Sequence, residues 1–203
     1  MPIGVPRVPY QALLDGDSFW VDIYNRLYRQ RILFLGQMVD STLSNQIVGL
    51  LVYLNIEDSN KDIDFFINCP GGSIVGGLAV YDTMQVVDPD IQTVCVGLAA
   101  SMGSFILLGG EPNKRIAFPH ARVMMHQPMA DLGTKIKAGD SVVEMNEIIK
   151  MYHSIVATYV RRTGKPSWMV YKDISRDIFM SAEEAQAHGI VDHVGVGFQK
   201  ESK

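Results

Sequence analysis

One uncharged stretch decides the fold class of this chain: residues 91–110, IQTVCVGLAASMGSFILLGG. Its first part, residues 91–97, is rich in β-branched residues and predicts a strand. Small residues follow, and an apolar run closed by two glycines then predicts a short helix that begins at Ser101. A strand, a turn of small residues and a helix in this order are the unit of a parallel sheet with crossover helices.

The same stretch also has to be weighed as a membrane span, because twenty uncharged residues are enough to cross a bilayer. Its polar and small residues, among them Gln92, Ser101 and Ser104, cluster in the middle of the segment. A strand, turn and helix explain this pattern better than a spanning helix does. We therefore expect no membrane partner.

The strand–turn–helix pattern also occurs twice upstream. Residues 31–36 predict a strand, and the helix after it begins with Asp40 or Ser41 as its cap. Residues 64–68 predict a second strand, which Pro70-Gly71-Gly72 ends before a helix capped by Ser73. The chain is therefore assigned to the α/β class, with stacked βα units. Sites in such sheets lie at the carboxyl ends of strands, where Gly72 and Ser101 fall.

The pattern changes after Lys114. Short strands are predicted at residues 115–118 and 122–125, followed by a long amphipathic helix that ends at Arg161-Arg162. This helix either packs on its own sheet or projects to another subunit. The C-terminal region and the first ten residues give three further predictions: a helix with the capping box Ser181-Ala182-Glu183-Glu184, a last strand at 190–194, and an extended mobile N-terminal arm.

Composition limits the classes of protein that this chain can belong to. The 203 residues, 47% hydrophobic with a net charge of −4, suit one globular domain and make nucleic acid an unsuitable partner. Cys69 and Cys95 lie in apolar runs, so we expect buried, inert thiols and no zinc site. The first residues lack the features of a signal or transit peptide, which indicates a protein made where it works.

Three residues at the edges of apolar elements form a candidate hydrolase site: Ser101, His126 and Asp177. A serine hydroxyl becomes a nucleophile when an imidazole takes its proton and a carboxylate orients that imidazole. The Met102 N–H at the helix start and a glycine of the Pro70-Gly71-Gly72 turn could stabilise an oxyanion.

Each of these assignments has an alternative. Ser101 could simply cap its helix, and the Pro-Gly-Gly segment could be an ordinary turn. His126 ends a strand, but the chain has four other histidines. Asp177 borders an apolar run and is expected to be partly buried, while Asp173 and Asp192 are rival acids.

At these residues the chain resembles the ClpP family of Clp protease proteolytic subunits, over residues 20–194. The opening residues 1–6 and 20–22 resemble its plastid-encoded branch. The motifs that carry the resemblance are DIYNRL at 22–27, NCPGGS at 68–73, YDTMQ at 81–85, AASMG at 99–103 and MHQP at 125–128.

The resemblance implies a ClpP/crotonase-type fold and a serine endopeptidase with Ser101 as nucleophile, His126 as base and Asp177 as orienting acid. It places the oxyanion donors on Gly72 and Met102. The implied chemistry requires no metal or organic cofactor, and ATP is used by the partner. The domain is expected to cover residues 1–203, with an axial loop at 1–19 and a projecting handle, a helix and a strand, at 128–161.

The implied assembly is a barrel of two heptameric rings that cuts unfolded polypeptides into short peptides. Its partners would be a ClpC-like AAA+ unfoldase and other ClpP or ClpR-type subunits. The resemblance does not decide between rings of one subunit type and rings of mixed composition. The implied location is the chloroplast stroma, with a bacterial or cyanobacterial cytoplasm as the alternative. A crotonase-type enzyme that handles acyl-CoA and a non-catalytic ring subunit are the alternative functions.

This sequence departs from the family pattern at three positions. Cys69 stands where serine usually precedes Pro-Gly-Gly, and Ser175 stands where many members have an acid for a ring-to-ring contact. Asp64 occupies a position that is often aromatic in the pocket for the unfoldase's loops, although Phe66 is present nearby. Ser175 leaves it open whether the inter-ring ion pair forms and how the rings lock.

Overall fold

The computed structural model describes residues 4–11, 18–127 and 138–195. Its centre is a seven-stranded sheet of strand order β3-β4-β5-β6-β9, extended by β7 beside β5 and by β8 beside β7. The strands are β1 (Arg7–Gln11), β2 (Ser18–Asp22), β3 (Ile32–Leu35), β4 (Ile63–Cys69), β5 (Ile91–Ala100), β6 (Arg115–Ala117), β7 (Arg122–Met125), β8 (Ile178–Ser181) and β9 (His193–Val194). The helices are α1 (Ile23–Tyr28), α2 (Ser41–Glu57), α3 (Ile74–Val86), α4 (Met102–Leu108), α5 (Ala138–Thr163), α6 (Ser167–Ile174) and α7 (Ala182–His188).

Strand β5 organises the sheet because it has different neighbours along its length. Its first half pairs in parallel with β6, and its second half pairs in parallel with β7. The change of neighbour falls at Gly97, which has a φ of +82°. A Cβ at Gly97 would lie 2.9 Å from the Asn68 Oδ1 atom, so glycine suits this position. The strand continues to Ala100, beyond the predicted end at residue 97, and this extension delivers Ser101 beside β7.

Three of the predicted helix starts are confirmed by capping hydrogen bonds. Asp40 accepts from the Leu43 N–H at 2.7 Å, and the Ser73 hydroxyl accepts from the Gly76 N–H at 3.2 Å. Ser181 and Glu184 form the predicted reciprocal capping box. These caps fix where the chain leaves each strand and enters the next helix, and they therefore fix the turns that surround the site.

Several elements differ from the sequence-based predictions. Helices α1 and α6 and strand β8 were not predicted, and the last strand is only two residues long. The N-terminal arm is extended as predicted, but β1 also pairs with β2 in an antiparallel hairpin. Of the predicted axial loop, residues 1–3 and 12–17 lie outside the described residues, as do residues 128–137 of the predicted handle.

Helix α5 has two different halves. Near its C-terminal end, Ile155, Val156 and Tyr159 are buried in the core of this chain. Toward its N-terminus, an apolar set is exposed and is covered by nothing in the described part of the chain: Val142, Val143, Met145 and Ile149. The prediction that this helix packs on its own domain therefore holds only for its C-terminal half. Among the helices of the described residues, none is long and apolar enough to cross a membrane.

Candidate active site

Ser101 occupies the turn between β5 and α4 with a backbone conformation that is rare for a residue with a side chain. Its φ is 54° and its ψ is −121°, and such strain costs about 1–3 kcal/mol. Its N–H donates to the Met124 carbonyl at 2.9 Å. Ser101 is the N-cap residue of α4, but its hydroxyl makes no capping hydrogen bond, so capping does not explain why a serine stands here. A strained strand-to-helix turn is also how α/β-hydrolases expose a serine nucleophile.

His126 and Asp177 are brought together by the antiparallel pairing of β7 and β8. Met125 pairs with Ile178, so the next residue outward on each strand is His126 or Asp177. The His126 Nδ1 atom lies 3.3 Å from the Asp177 Oδ1 atom. This contact leaves Nε2 as the ring nitrogen that can exchange a proton with the serine. Sequence reasoning did not predict β8, and so it had no account of this register.

Asp177 is more exposed than the sequence suggested. Its side chain is 69% exposed, against 14% for His126, so the prediction that it is partly buried is wrong for the single chain. The cause is the alternation of β8, which puts Asp177 on the same outward face as the exposed Phe179.

The rival acids and the other histidines have separate partners. The Asp173 Oδ2 atom lies 2.9 Å from Nε2 of His188, and Asp192 accepts from the Arg115 Nε–H at 2.9 Å. The two remaining histidines with polar contacts bond elsewhere: His153 to the Tyr171 hydroxyl and His193 to the Asn113 carbonyl. Of the candidate acids, Asp177 is therefore the one that meets His126.

The turn at Gly71 and Gly72 lies directly against Ser101. Gly72 has a φ of +139° and lines the same cleft as Ser101 and His126. Its N–H makes no hydrogen bond within the described residues. The Met102 N–H is the first of α4, so it has no carbonyl partner one turn earlier. Within the described residues, the Gly72 and Met102 N–H groups thus have no protein partner, and both residues line the cleft that contains Ser101.

The cleft itself is lined mainly by apolar side chains and has a volume of about 230 Å³. Ser101, His126 and Gly72 line the cleft together with Pro70 and Met102. Its remaining lining residues are Met38, Ile74, Phe105, Ile155 and Tyr159. An apolar cleft beside a polar cluster suits a substrate with an apolar side chain next to the reacting bond.

Cys69 supports this turn from below. Its Sγ atom accepts a hydrogen bond from the Gly71 N–H at 3.3 Å, and the thiol is fully buried. Burial raises the pKa of the Cys69 thiol, and it raises the pKa of Cys95 to about 12. Both thiols are therefore inert, as predicted, because the reactive thiolate is disfavoured. Within the described residues, no group of three or more His, Cys, Asp and Glu side chains could hold a metal ion.

We expect Gly72→Ala to reduce hydrolysis at this site by about 10²–10³-fold, because a displaced turn would no longer present its amide donor to the cleft. A Cβ at this position would lie 2.2 Å from the Val39 carbonyl oxygen, so the turn has to move. Gly49→Ala is the matched control, because a Cβ added at Gly49 would have no neighbour within 4 Å. Activity and thermal midpoint are measured for both variants; a fully active Gly72→Ala enzyme would contradict the role of this turn.

Comparison with known proteins assigns the chain to a family. A family model described as Clp protease matches residues 15–197. The chain belongs to the Clp protease family. A relative from Glycine max, "ATP-dependent Clp protease proteolytic subunit", is 61% identical over 97% of this chain and the whole of that protein. Relatives with the same name from Eucalyptus globulus subsp. globulus and Coffea arabica are 59% identical over the same shares.

Membership of the Clp protease family makes the chain a serine-type endopeptidase. The predicted α/β fold class agrees as well, since the structure combines seven helices in the described residues with a sheet whose strand pairs are parallel except for β7 with β8. The family decides against the acyl-CoA alternative, because these relatives are proteolytic subunits.

Proposed function

We propose that Ser101, His126 and Asp177 form the catalytic triad of this endopeptidase. Ser101 Oγ attacks the peptide carbonyl while His126 Nε2 takes its proton, and a tetrahedral oxyanion forms. The Gly72 and Met102 N–H groups stabilise that oxyanion, and Asp177 holds the imidazole through Nδ1. His126 then gives the proton to the leaving amine, and water hydrolyses the acyl-enzyme by the same route. The observation that carries this proposal is the 3.3 Å contact between His126 and Asp177 in a site that includes Ser101.

A serine-directed probe tests this assignment on the wild-type protein. The assembled particle is treated with a fluorophosphonate, and the adduct is located by peptide mass mapping while hydrolysis of an unfolded protein is followed. We expect a single adduct on Ser101 and a parallel loss of hydrolysis. Continued hydrolysis without an adduct, or an adduct on another serine, would refute the assignment.

The chemistry of the triad requires no metal or organic cofactor from this chain. Acyl transfer and hydrolysis use only the serine, a base, an acid, amide donors and water. ATP would be consumed by the partner that unfolds the substrate. Peptidase activity on short peptides should therefore survive exhaustive treatment with a chelator and with an ATP-hydrolysing enzyme, and a loss under either treatment would contradict this.

The chain works within a Clp protease complex of ring-shaped oligomers with an ATPase partner, in accordance with its relatives. The finer proposal is a barrel of two heptameric rings, in which residues 128–161 form the handle between rings and residues 1–19 line the axial entrance. The exposed apolar half of α5 supports this proposal, because such a face needs a partner in water. Native mass measurement tests whether the rings also hold other ClpP or ClpR-type subunits.

We expect Ile149→Asp to weaken association between rings, because it puts a charge on the exposed apolar half of α5. Ile149 is 44% exposed in the single chain, so its own domain should still fold. Asn146→Asp adds the same charge at an exposed polar position of the same helix and serves as the control. Native mass spectrometry reads the outcome. Intact double rings in Ile149→Asp would exclude this face from the contact.

A ClpC-like AAA+ unfoldase is the proposed ATPase partner, and an aromatic cluster on β3, β4 and α1 supports a docking surface for it. The rings of Phe34 and Phe66 stack at 5.3 Å, and Tyr24 meets Phe34 edge-on at 5.9 Å. Asp64 lies on β4 beside this cluster, and burial raises the pKa of its carboxyl. Phe66→Ala should reduce ATP-driven degradation while peptide hydrolysis stays unchanged; equal losses in both assays would count against docking here.

The curated relatives come from flowering plants, which is consistent with a plastid origin. The proposed location is the chloroplast stroma. Immunodetection in fractionated chloroplasts tests it, and a signal confined to another compartment would exclude it.

A further inference from the structure

A buried pair of hydroxyl groups lies behind the nucleophile and has no part in the triad. Ser104 on α4 is fully buried, and Tyr159 on α5 is 3% exposed. The Ser104 Oγ atom lies 2.7 Å from the Ser101 carbonyl oxygen and 2.8 Å from the Tyr159 hydroxyl. Ser104 and Tyr159 therefore connect the C-terminal half of α5 to the backbone of Ser101.

The direction of these hydrogen bonds follows from the number of protons. Ser104 has one hydroxyl proton, and a carbonyl oxygen can only accept, so that proton goes to the Ser101 carbonyl. The Tyr159 hydroxyl must then donate to Ser104 Oγ. Burial raises the pKa of Tyr159, which keeps its hydroxyl protonated and able to donate.

The Ser101 carbonyl belongs to the same peptide group as the Met102 N–H. A hydrogen bond to the carbonyl end of a peptide polarises the whole group and strengthens its N–H as a donor. It also fixes the plane of a peptide whose nucleophile end is strained at a φ of 54°. The Ser104 and Phe105 N–H groups donate to the same carbonyl, at 3.0 and 3.2 Å, so this peptide is held firmly from behind.

We propose that Tyr159 and Ser104 are positioning residues that orient and polarise the Ser101–Met102 peptide, so that its N–H serves as an oxyanion donor. This inference rests on the proposed function, because it presupposes that Met102 donates to the oxyanion. It adds two side chains from outside the triad to the catalytic apparatus. It also makes oxyanion stabilisation depend on where the C-terminal half of α5 sits.

Tyr159→Phe tests the inference, because it removes only the hydroxyl and keeps the ring that lines the cleft. In the assembled particle, binding of a peptide boronate is compared with binding of the matching product peptide. The boronate forms a tetrahedral adduct with Ser101 Oγ and places an oxygen at the oxyanion position, whereas the product peptide does not. We expect boronate affinity and kcat each to fall about fivefold, with KM and product affinity unchanged.

Matched variants distinguish an effect of the Tyr159–Ser104 hydrogen bonds from an effect of side-chain packing. Tyr152→Phe removes a hydroxyl from the same helix two turns away and should behave as wild type. Ser104→Ala should lose at least as much boronate affinity as Tyr159→Phe, because it removes the hydrogen bond to the Ser101 carbonyl itself. The double variant should lose no more than Ser104→Ala, because the Tyr159 hydroxyl acts through Ser104. Ser104→Ala also serves as the test if Tyr159→Phe does not assemble.

Two outcomes would overturn the inference. One is boronate affinity at the wild-type level in Tyr159→Phe or in Ser104→Ala. The other is an equal loss for the boronate and the product peptide, which would mean that the hydroxyl supports only the shape of the cleft. Neither outcome affects the proposed function, whose own failure shows in the wild-type particle as the absence of an adduct on Ser101.

Discussion

Ser101→Ala is expected to lower the turnover of a short peptide about 10⁶-fold, and His126→Ala to lower it by about the same factor. Without the hydroxyl no acyl-enzyme can form, and without the imidazole the hydroxyl proton has no acceptor beside it. The double variant should be no worse than either single variant, because the two groups act as one unit. Turnover is measured on assembled particles whose mass has been checked, since a failure to assemble would also remove activity.

His188→Ala is not a suitable control for this comparison, because His188 is largely buried and bonded to Asp173. His120→Ala is better, since His120 lies in an exposed turn. It should retain wild-type turnover. If His126→Ala retained turnover within tenfold of the wild type, another base would have to be sought.

Asp177→Asn is expected to lower kcat about 10⁴-fold with little change in KM. The amide keeps the size of the side chain but can donate to Nδ1, which would leave the proton on Nε2 and block its role as base. The exposure of Asp177 in the single chain makes this test informative, because a water-screened carboxylate would orient the ring less firmly. Steady-state kinetics on the assembled particle give kcat and KM separately.

Asp173→Asn is the matched control for Asp177→Asn. Asp173 is a carboxylate only four positions away, but it bonds His188 instead of His126. Its substitution should leave kcat near the wild-type value, with any cost appearing in the thermal midpoint. Equal losses of kcat in the two variants would mean that the region acts structurally and that Asp177 has no specific role.

The fold class could be predicted from the sequence because its signals are local. Strand β4, the Pro-Gly-Gly turn and the cap at Ser73 follow one another within a dozen residues, and each has a characteristic composition. The turn at Ser101 could be located for the same reason. Its unusual φ and ψ could not, because they depend on the contact with Met124 on a different strand.

The contact between His126 and Asp177 could not be predicted from local sequence signals. Sequence position does not separate Asp177 from Asp173 and Asp192, because all three border apolar residues. What distinguishes Asp177 is the register of β8 on β7, and β8 is too short to show a clear alternation. The hydrogen bond that joins Tyr159 to Ser104 could likewise not be predicted from the sequence, because the two residues are far apart in the chain.

One consequence of the β7–β8 register concerns how the chain can vary. The ladder fixes His126 and Asp177 opposite one another, while the chain between them makes a long excursion through α5 and α6. Insertions within that excursion leave the ladder intact, but a slip of one residue in β8 would turn the carboxylate to the other face. Evolution can therefore lengthen or reshape the segment between the two residues while His126 and Asp177 stay paired.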